Sequence, residues 1–158
     1  MNHMSCNCND EHGTYFNDNC VCNVVQFIHE LQECTSANYS SDYDLPLLGP
    51  SCKVVLANTR PFILFTKSGK PFEAYIPSTT SNCRSPIFRV ESVDEDCCAV
   101  LRALIVFTNG EPNPTTDPVC TYLTTPQAEL RATSSCVTVD LHCFCGIQCL
   151  RDASVSNC

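Results

Sequence analysis

Cysteine is the residue that most constrains this chain. There are fifteen in 158 residues, a fraction at which composition alone points to a disulfide or metal scaffold. Small secreted domains reach such fractions because their cores are too small to hold a fold unaided. A domain of this length is not in that position, since it buries roughly 70% of the surface its unfolded chain exposes. The thiols therefore exceed what folding requires. Their number is also odd. If all the others paired within the chain, one would remain free or join another molecule.

Charge narrows the class of partner. Nine Lys plus Arg against seventeen Asp plus Glu give a formal charge of −8. The deficit is even along the chain: residues 1–80 carry four basic and eight acidic groups, and residues 81–158 carry five and nine. No basic stripe exists to neutralise phosphates or anionic headgroups, which excludes nucleic acid and membrane surfaces as partners. The longest apolar run, over 97–107, is interrupted by Arg102 and is too short to cross a bilayer. The start, Met1-Asn2-His3-Met4-Ser5-Cys6-Asn7-Cys8, lacks a charged region followed by an apolar one, so no secretory signal is expected. Synthesis in a reducing compartment then leaves two uses for the thiols: metal binding, or oxidation after the compartment changes.

The chain divides into a flexible, cysteine-containing N-terminal arm over 1–19 and a single cysteine-rich β domain over 20–158 that begins with a helix. Val21, Val24, Val25, Ile28 and Leu31 recur at helical period over 20–34, Phe27 widens that stripe, and Glu30 and Glu33 fall on the wet side. Asn17-Asp18-Asn19 is placed to cap this helix, and 35–44 reads as a loop. Short β-like runs follow at 53–57, 60–66, 72–76, 86–93, 97–107, 119–124 and 136–143, separated by turn residues. The loop over 110–118 holds three prolines, which cannot donate to a ladder. In 136–143, Val137, Val139, Leu141 and Cys143 face one way, and Thr138, Asp140 and His142 the other. The run over 97–107 is apolar on both faces, as expected of a strand buried on both sides, at the centre of the domain or, as the alternative, against another subunit. The expected fold is mainly β: an antiparallel β-sandwich of about seven strands with one N-terminal amphipathic helix.

The cysteine spacings are Cys6-x-Cys8, Cys20-x-Cys22, Cys97-Cys98 and Cys143-x-Cys145-xxx-Cys149, with Cys34, Cys52, Cys83, Cys120, Cys136 and Cys158 scattered. Structural zinc sites usually use knuckles with two to four intervening residues, a pattern this chain matches poorly. A cysteine-rich metal-binding module is still the alternative reading. Cys145 and Cys149 would share a face if that segment were helical, with His12 or His142 to complete a site. An enzyme would need Asp140 and His142 to activate a thiol, but two polar residues on the wet side of a strand require no such role. With no Cys-x-x-Cys and only five glycines, neither redox catalysis nor a phosphate loop is indicated. No catalytic, metal or cofactor residue is assigned. Cys98 and Cys143 are placed like small core hydrophobes. Cys6, Cys8, Cys20, Cys22 and Cys158 lie at or near the chain ends, where thiols reach neighbouring molecules, and are the candidate intermolecular cross-links.

Three stretches carry a resemblance: Ala57-Asn58-Thr59-Arg60-Pro61-Phe62-Ile63-Leu64-Phe65-Thr66, Phe88-Arg89-Val90-Glu91 and Val137-Thr138-Val139-Asp140-Leu141-His142-Cys143-Phe144-Cys145-Gly146-Ile147-Gln148-Cys149-Leu150. Over 21–152 the chain resembles the Bacillus spore coat and exosporium proteins of the CotY/CotZ/ExsY family, most closely the ExsY-like exosporium proteins. Gly146 stands where the family pattern leads to alanine, and the segment before Cys20 has no counterpart. The resemblance implies a structural, self-assembling protein made in the mother-cell cytoplasm. It would form ring-shaped homo-oligomers, hexamers by expectation, that tile into hexagonal sheets in the coat or exosporium beside other proteins of those layers. Disulfides would reinforce the sheet once the surroundings become oxidising.

Overall fold

The structure, a computed structural model, describes residues 19–37, 57–78 and 83–156. The expected arm, apart from Asn19, and the expected strand over 53–57, apart from Ala57, lie outside the described residues. In chain order the elements are α1 (Cys20–Ala37), β1 (Phe62–Thr66), β2 (Ala74–Tyr75), β3 (Arg84–Ser85), β4 (Phe88–Val93), β5 (Cys98–Thr108), β6 (Glu111–Pro112), α2 (Pro118–Thr124), β7 (Glu129–Asp140) and β8 (Phe144–Cys149), with a 3₁₀ turn over Leu141–Cys143. The fold is mainly β and antiparallel behind an N-terminal helix. One sheet runs β7-β5-β4-β1-β8, with β6 pairing the end of β5, and β2 and β3 form a separate pair.

The doubly apolar run becomes the central strand. β5 pairs with β7 from Cys98↔Asp140 to Phe107↔Glu129 and with β4 along its first half. Ala99, Leu101 and Ala103 pack into one core with Phe62, Leu64, Phe88 and the buried face of α1. Leu104 and Val106 enter a second core with Ile63, Ile87, Tyr122, Leu130, Leu150 and Val155. The period-two alternation of a strand thus sends alternate residues to opposite covers, α1 on one face and α2 with the C-terminal segment on the other.

Helix α1 forms where the apolar period predicts it. The Cys22 N–H donates to Asn19 Oδ1 at 2.9 Å, so Asn19 is the cap. Val21, Cys22, Val25 and Ile28 are buried. Phe27 does not widen that stripe, because it is 55% exposed on the opposite side. Gln32 ties the helix to the sheet: its Nε2 donates to the Val90 carbonyl at 3.0 Å, and its Oε1 accepts from the Arg60 N–H at 3.3 Å. No described helix is long and apolar enough to cross a membrane.

Three expected elements change in type or extent. The run over 119–124 is helix α2, not a strand: Asp117 accepts from the Cys120 N–H at 3.0 Å as its cap, and Pro118 supplies the favoured first-turn proline. The strand expected over 136–143 begins earlier, at Glu129, and ends at Asp140. There the Asp140 carboxylate accepts from the His142 N–H at 2.9 Å and turns the chain into the 3₁₀ turn. Its register holds where it was expected, with Val139 and Leu141 buried, Val137 packed against the same core, and Asp140 exposed. Within the proline-containing loop, Glu111 and Pro112 form the short strand β6, at an edge where proline is tolerated.

Arg102, the interruption in the apolar run, is held by a charge network. It stands directly opposite Arg89 in the β4–β5 ladder, an arrangement that repels. The ladder shifts register between Val90 and Ser92, and Glu91, the extra residue, neutralises both. One of its oxygens accepts from Arg89 at 2.7 Å and from Arg102 at 2.6 Å. Arg102 also donates to the Thr133 carbonyl at 2.9 Å. Burial pushes the Glu91 carboxyl up, but the hydrogen bonds and charges of both arginines outweigh it and leave the pKa below the ordinary 4.5. A carboxyl depressed in this way contributes stability that is fully present above the unfolded pKa and lost as pH falls through the folded one. Glu91→Gln is expected to cost about 1–2 kcal/mol at neutral pH, less than a fully buried pair because part of Glu91 meets water. Denaturant unfolding should also show a weaker loss of stability below pH 4.5 in the variant than in the parent.

Candidate functional site

The fold sorts the described cysteines into one buried pair, the half-buried Cys143 and a set on the surface. Cys22, on the buried face of α1, meets Cys97 in the turn between β4 and β5. The two form a disulfide with 5.6 Å between Cα atoms, and both are wholly buried. The turn is shaped for it. The Cys97 N–H donates to the Asp94 carbonyl, the Cys98 N–H donates to Asp94 Oδ1, and Gln26 of α1 donates to the same Asp94 carbonyl. Cys97 has a φ of +65°, a left-handed conformation rare outside glycine and asparagine.

This placement corrects the expectation for Cys22. Its sulfur is bonded within the subunit and shielded from solvent, so it is not an intermolecular cross-link in this fold. Cys20, only two residues earlier, lies on the exposed side of the helix. Cys6, Cys8 and Cys158 lie outside the described residues.

Seven further thiols that sequence reasoning left out of the candidate set are exposed: Cys34, Cys83, Cys98, Cys120, Cys136, Cys145 and Cys149. Cys98 is not a core residue; it begins β5 opposite Asp140, at the sheet's rim, and Cys143 is half-buried. A signal was present for Cys136, which shares strand parity with the outward Thr138 and Asp140. Another was present for Cys34, fourteen residues after Cys20 and so on the same helix face.

The C-terminal cluster is strand, not helix, so Cys145 and Cys149 are roughly 13 Å apart along β8 and share no helical face. A bulge between Phe65 and Thr66 skips Cys145, whose Sγ donates to the Thr66 carbonyl at 3.0 Å. Burial against its neighbours pushes the Cys149 thiol pKa up even though part of it meets solvent, and Arg60 beside it pulls the other way. Among the described residues no group of three or more His, Cys, Asp or Glu converges as a metal site. His142 Nδ1 lies 2.7 Å from Asp140 Oδ1, and the His142 backbone N–H, followed by its ring, holds the Asp140 carboxyl below its ordinary range. Neither residue lines the depression of about 270 Å³ near Ile105, Phe107 and Arg131 or the cavity of about 20 Å³ near Ser85 and Leu104.

A β scaffold that ties one cysteine pair into its core and exposes eight other described cysteines is built like a structural component. The spore coat protein Z family model matches residues 4–152, and the chain belongs to that family of cysteine-rich structural proteins of the spore coat; it is not an enzyme. It is similar to spore coat protein Z of Bacillus subtilis (strain 168), with 32% identity over 145 residues, covering 87% of this chain and 93% of that protein. No solved structure matches the chain. The family match starts at residue 4, so Cys6 and Cys8 do fall within the family's span, unlike the expectation that nothing before Cys20 had a counterpart. Gly146 lies opposite Phe65 in the β1–β8 ladder. A Cβ there would sit 3.6 Å from the Phe65 ring, ordinary contact, so an alanine at this position would fit without rearrangement.

The sorting of thiols has a direct energetic consequence. The Cys22–Cys97 bond closes a separation of 75 residues, and losing such a constraint costs about 4 kcal/mol on a chain-entropy estimate. Cys22→Ser or Cys97→Ser is expected to lower the denaturant midpoint of the isolated subunit accordingly. Cys20→Ser, at an exposed position, should change stability by less than about 0.5 kcal/mol. Equal losses at Cys20 and Cys22 would contradict the assignment.

Proposed function

We propose that this protein is a self-assembling subunit of the spore's outer layers, exosporium or coat, that forms an ordered hexagonal lattice reinforced by intermolecular disulfides. The observation that carries this reading is the spread of exposed thiols over both helices, β5, β7, β8 and the Cys83 loop. A subunit with two linkable sites can make only a linear chain or a single ring. A sheet needs at least three, and thiols facing several directions meet that requirement. Ring-forming head-to-tail contacts, closing as hexamers, then tile by contacts between rings. Synthesis occurs in the mother-cell cytoplasm, where the thiols are reduced, and association with itself and with other coat proteins precedes oxidation.

Assembly and cross-linking are separate stages. A domain that buries two cores docks without covalent help, and disulfides then raise the barrier to leaving. The chain-end thiols Cys6, Cys8, Cys20 and Cys158 act in that second stage. Replacing these four by serine is therefore expected to leave ordered sheets visible by electron microscopy, while lowering the temperature at which they dissolve. Oxidised parent sheets should run as a high-mass ladder without reductant and collapse toward the 17.4 kDa monomer with it. A monomer band from oxidised sheets without reductant would contradict the cross-linking. Failure of the folded parent to form sheets would contradict the lattice.

A further inference from the structure

The exposed face of α1 has an arrangement that the assembly reading does not by itself require. Cys20 and Cys34 are exposed, as is Phe27 at 55%. Each cysteine is seven residues from Phe27, close to two full turns, so all three lie along one line of the helix with the thiols about 10.5 Å to either side of the ring. Phe27 is one of the few large apolar side chains exposed among the described residues. The line is symmetric about its centre.

We propose that this face docks against the same face of a second copy, antiparallel about a two-fold axis at Phe27, so that Cys20 of each subunit bonds to Cys34 of the other. The inference rests on the assembly reading and identifies one of its joints. Reversal about Phe27 places Cys20 opposite Cys34 and Glu30 opposite Val24, so no carboxylate on the line meets its own copy. Packed helices lie about 8–10 Å apart with each Cα about 2.3 Å off its axis, leaving facing Cα atoms roughly 3.4–5.4 Å apart. Disulfides span about 4.4–6.8 Å between Cα atoms. The drift of about 20° per seven residues matches a shallow left-handed crossing, which keeps both ends of the line in contact. One helix face buries much less than the roughly 1,200–2,000 Å² of a stable interface. Phe27 therefore aligns the pair and the two bonds hold it.

The oxidation balances with a small-molecule disulfide as acceptor. The Cys20 thiolate attacks that disulfide and releases one small thiol. The Cys34 thiolate of the second copy then attacks the mixed disulfide and releases the other. Two protein thiols thus lose two electrons and two protons to one acceptor.

The pairing has a signature that other geometries lack. Within one helix Cys20 and Cys34 are fourteen residues apart, about 21 Å, so any bond between them joins two molecules. In protein whose only cysteines are Cys20, Cys22, Cys34 and Cys97, oxidation with glutathione disulfide should give a covalent dimer on a non-reducing gel. Cys20→Ser alone and Cys34→Ser alone should each abolish it, because each bond takes one residue of each kind. Mixing the two variants should restore at least about half the dimer, since half of random pairs then hold one bond. Phe27→Asp should reduce the dimer at least tenfold with the Cys22–Cys97 bond still formed. Dimer from either single variant, or none from the mixture, would overturn the proposal. If the four-cysteine background does not fold, ¹⁴N and ¹⁵N parent protein can be mixed, oxidised and digested after Glu30. Linked Cys20 and Cys34 peptides with one light and one heavy half support the joint. Ordered sheets that lack this link would overturn it while leaving the lattice reading intact.

Discussion

Because β5 is apolar on both faces, it needs cover on both, and most of the architecture follows from that. Odd positions such as Ala99 and Leu101 draw α1 onto one side, and even positions such as Leu104 and Val106 draw α2 and the C-terminal segment onto the other. Each fully buried Leu, Ile or Val contributes roughly 1.5–3 kcal/mol. Two cores fed by one strand therefore make a subunit that stands without covalent aid at its surface. The even position that breaks the pattern, Arg102, is accommodated because a bulge sets Glu91 between it and Arg89 and because it also donates to the Thr133 carbonyl.

Covering both faces also decides what each cysteine can do. α1 is a separate layer on the sheet, joined to it by apolar contacts, by Gln26 and Gln32, and by the Cys22–Cys97 bond. That bond faces inward and belongs to the fold. Strand alternation and the helix period turn the exposed thiols outward, to positions where they contribute little to the core. The excess of cysteine over folding need, evident in composition, thus has a spatial counterpart: core and surface thiols are different populations with different chemistry.

Much of this was legible in the residues. α1 and its asparagine cap, the central role of 97–107, and the inward Val139 and Leu141 were readable because apolar period and capping chemistry are local signals. The family resemblance rested on the stretches that build β1, β4, β7 and β8. What was not legible depended on tertiary contacts. Val119 to Thr124 has strand-like composition, and only the Asp117-Pro118 start marks it as a helix. The early part of β7 carries only a short alternation, Leu130 and Ala132 about Arg131, before Thr133, Ser134 and Ser135, and it is β5 that pairs with it as a strand. Cys22 looked like a chain-end thiol, and its bond to Cys97 spans 75 residues that no local pattern reports.

The central claim is that one disulfide belongs to the fold and the others join subunits. Graded reduction of oxidised sheets, with non-reducing peptide mass spectrometry at each step, tests it most directly. A buried bond is slow to exchange, whereas bonds between surface thiols are accessible. The account predicts that mild reductant first breaks the links between subunits, leaving monomers on a denaturing gel that still carry the Cys22–Cys97 link, and that this link is lost only when the subunit unfolds. Loss of the Cys22–Cys97 link before the links between subunits, or its appearance between two differently labelled subunits, would contradict the account.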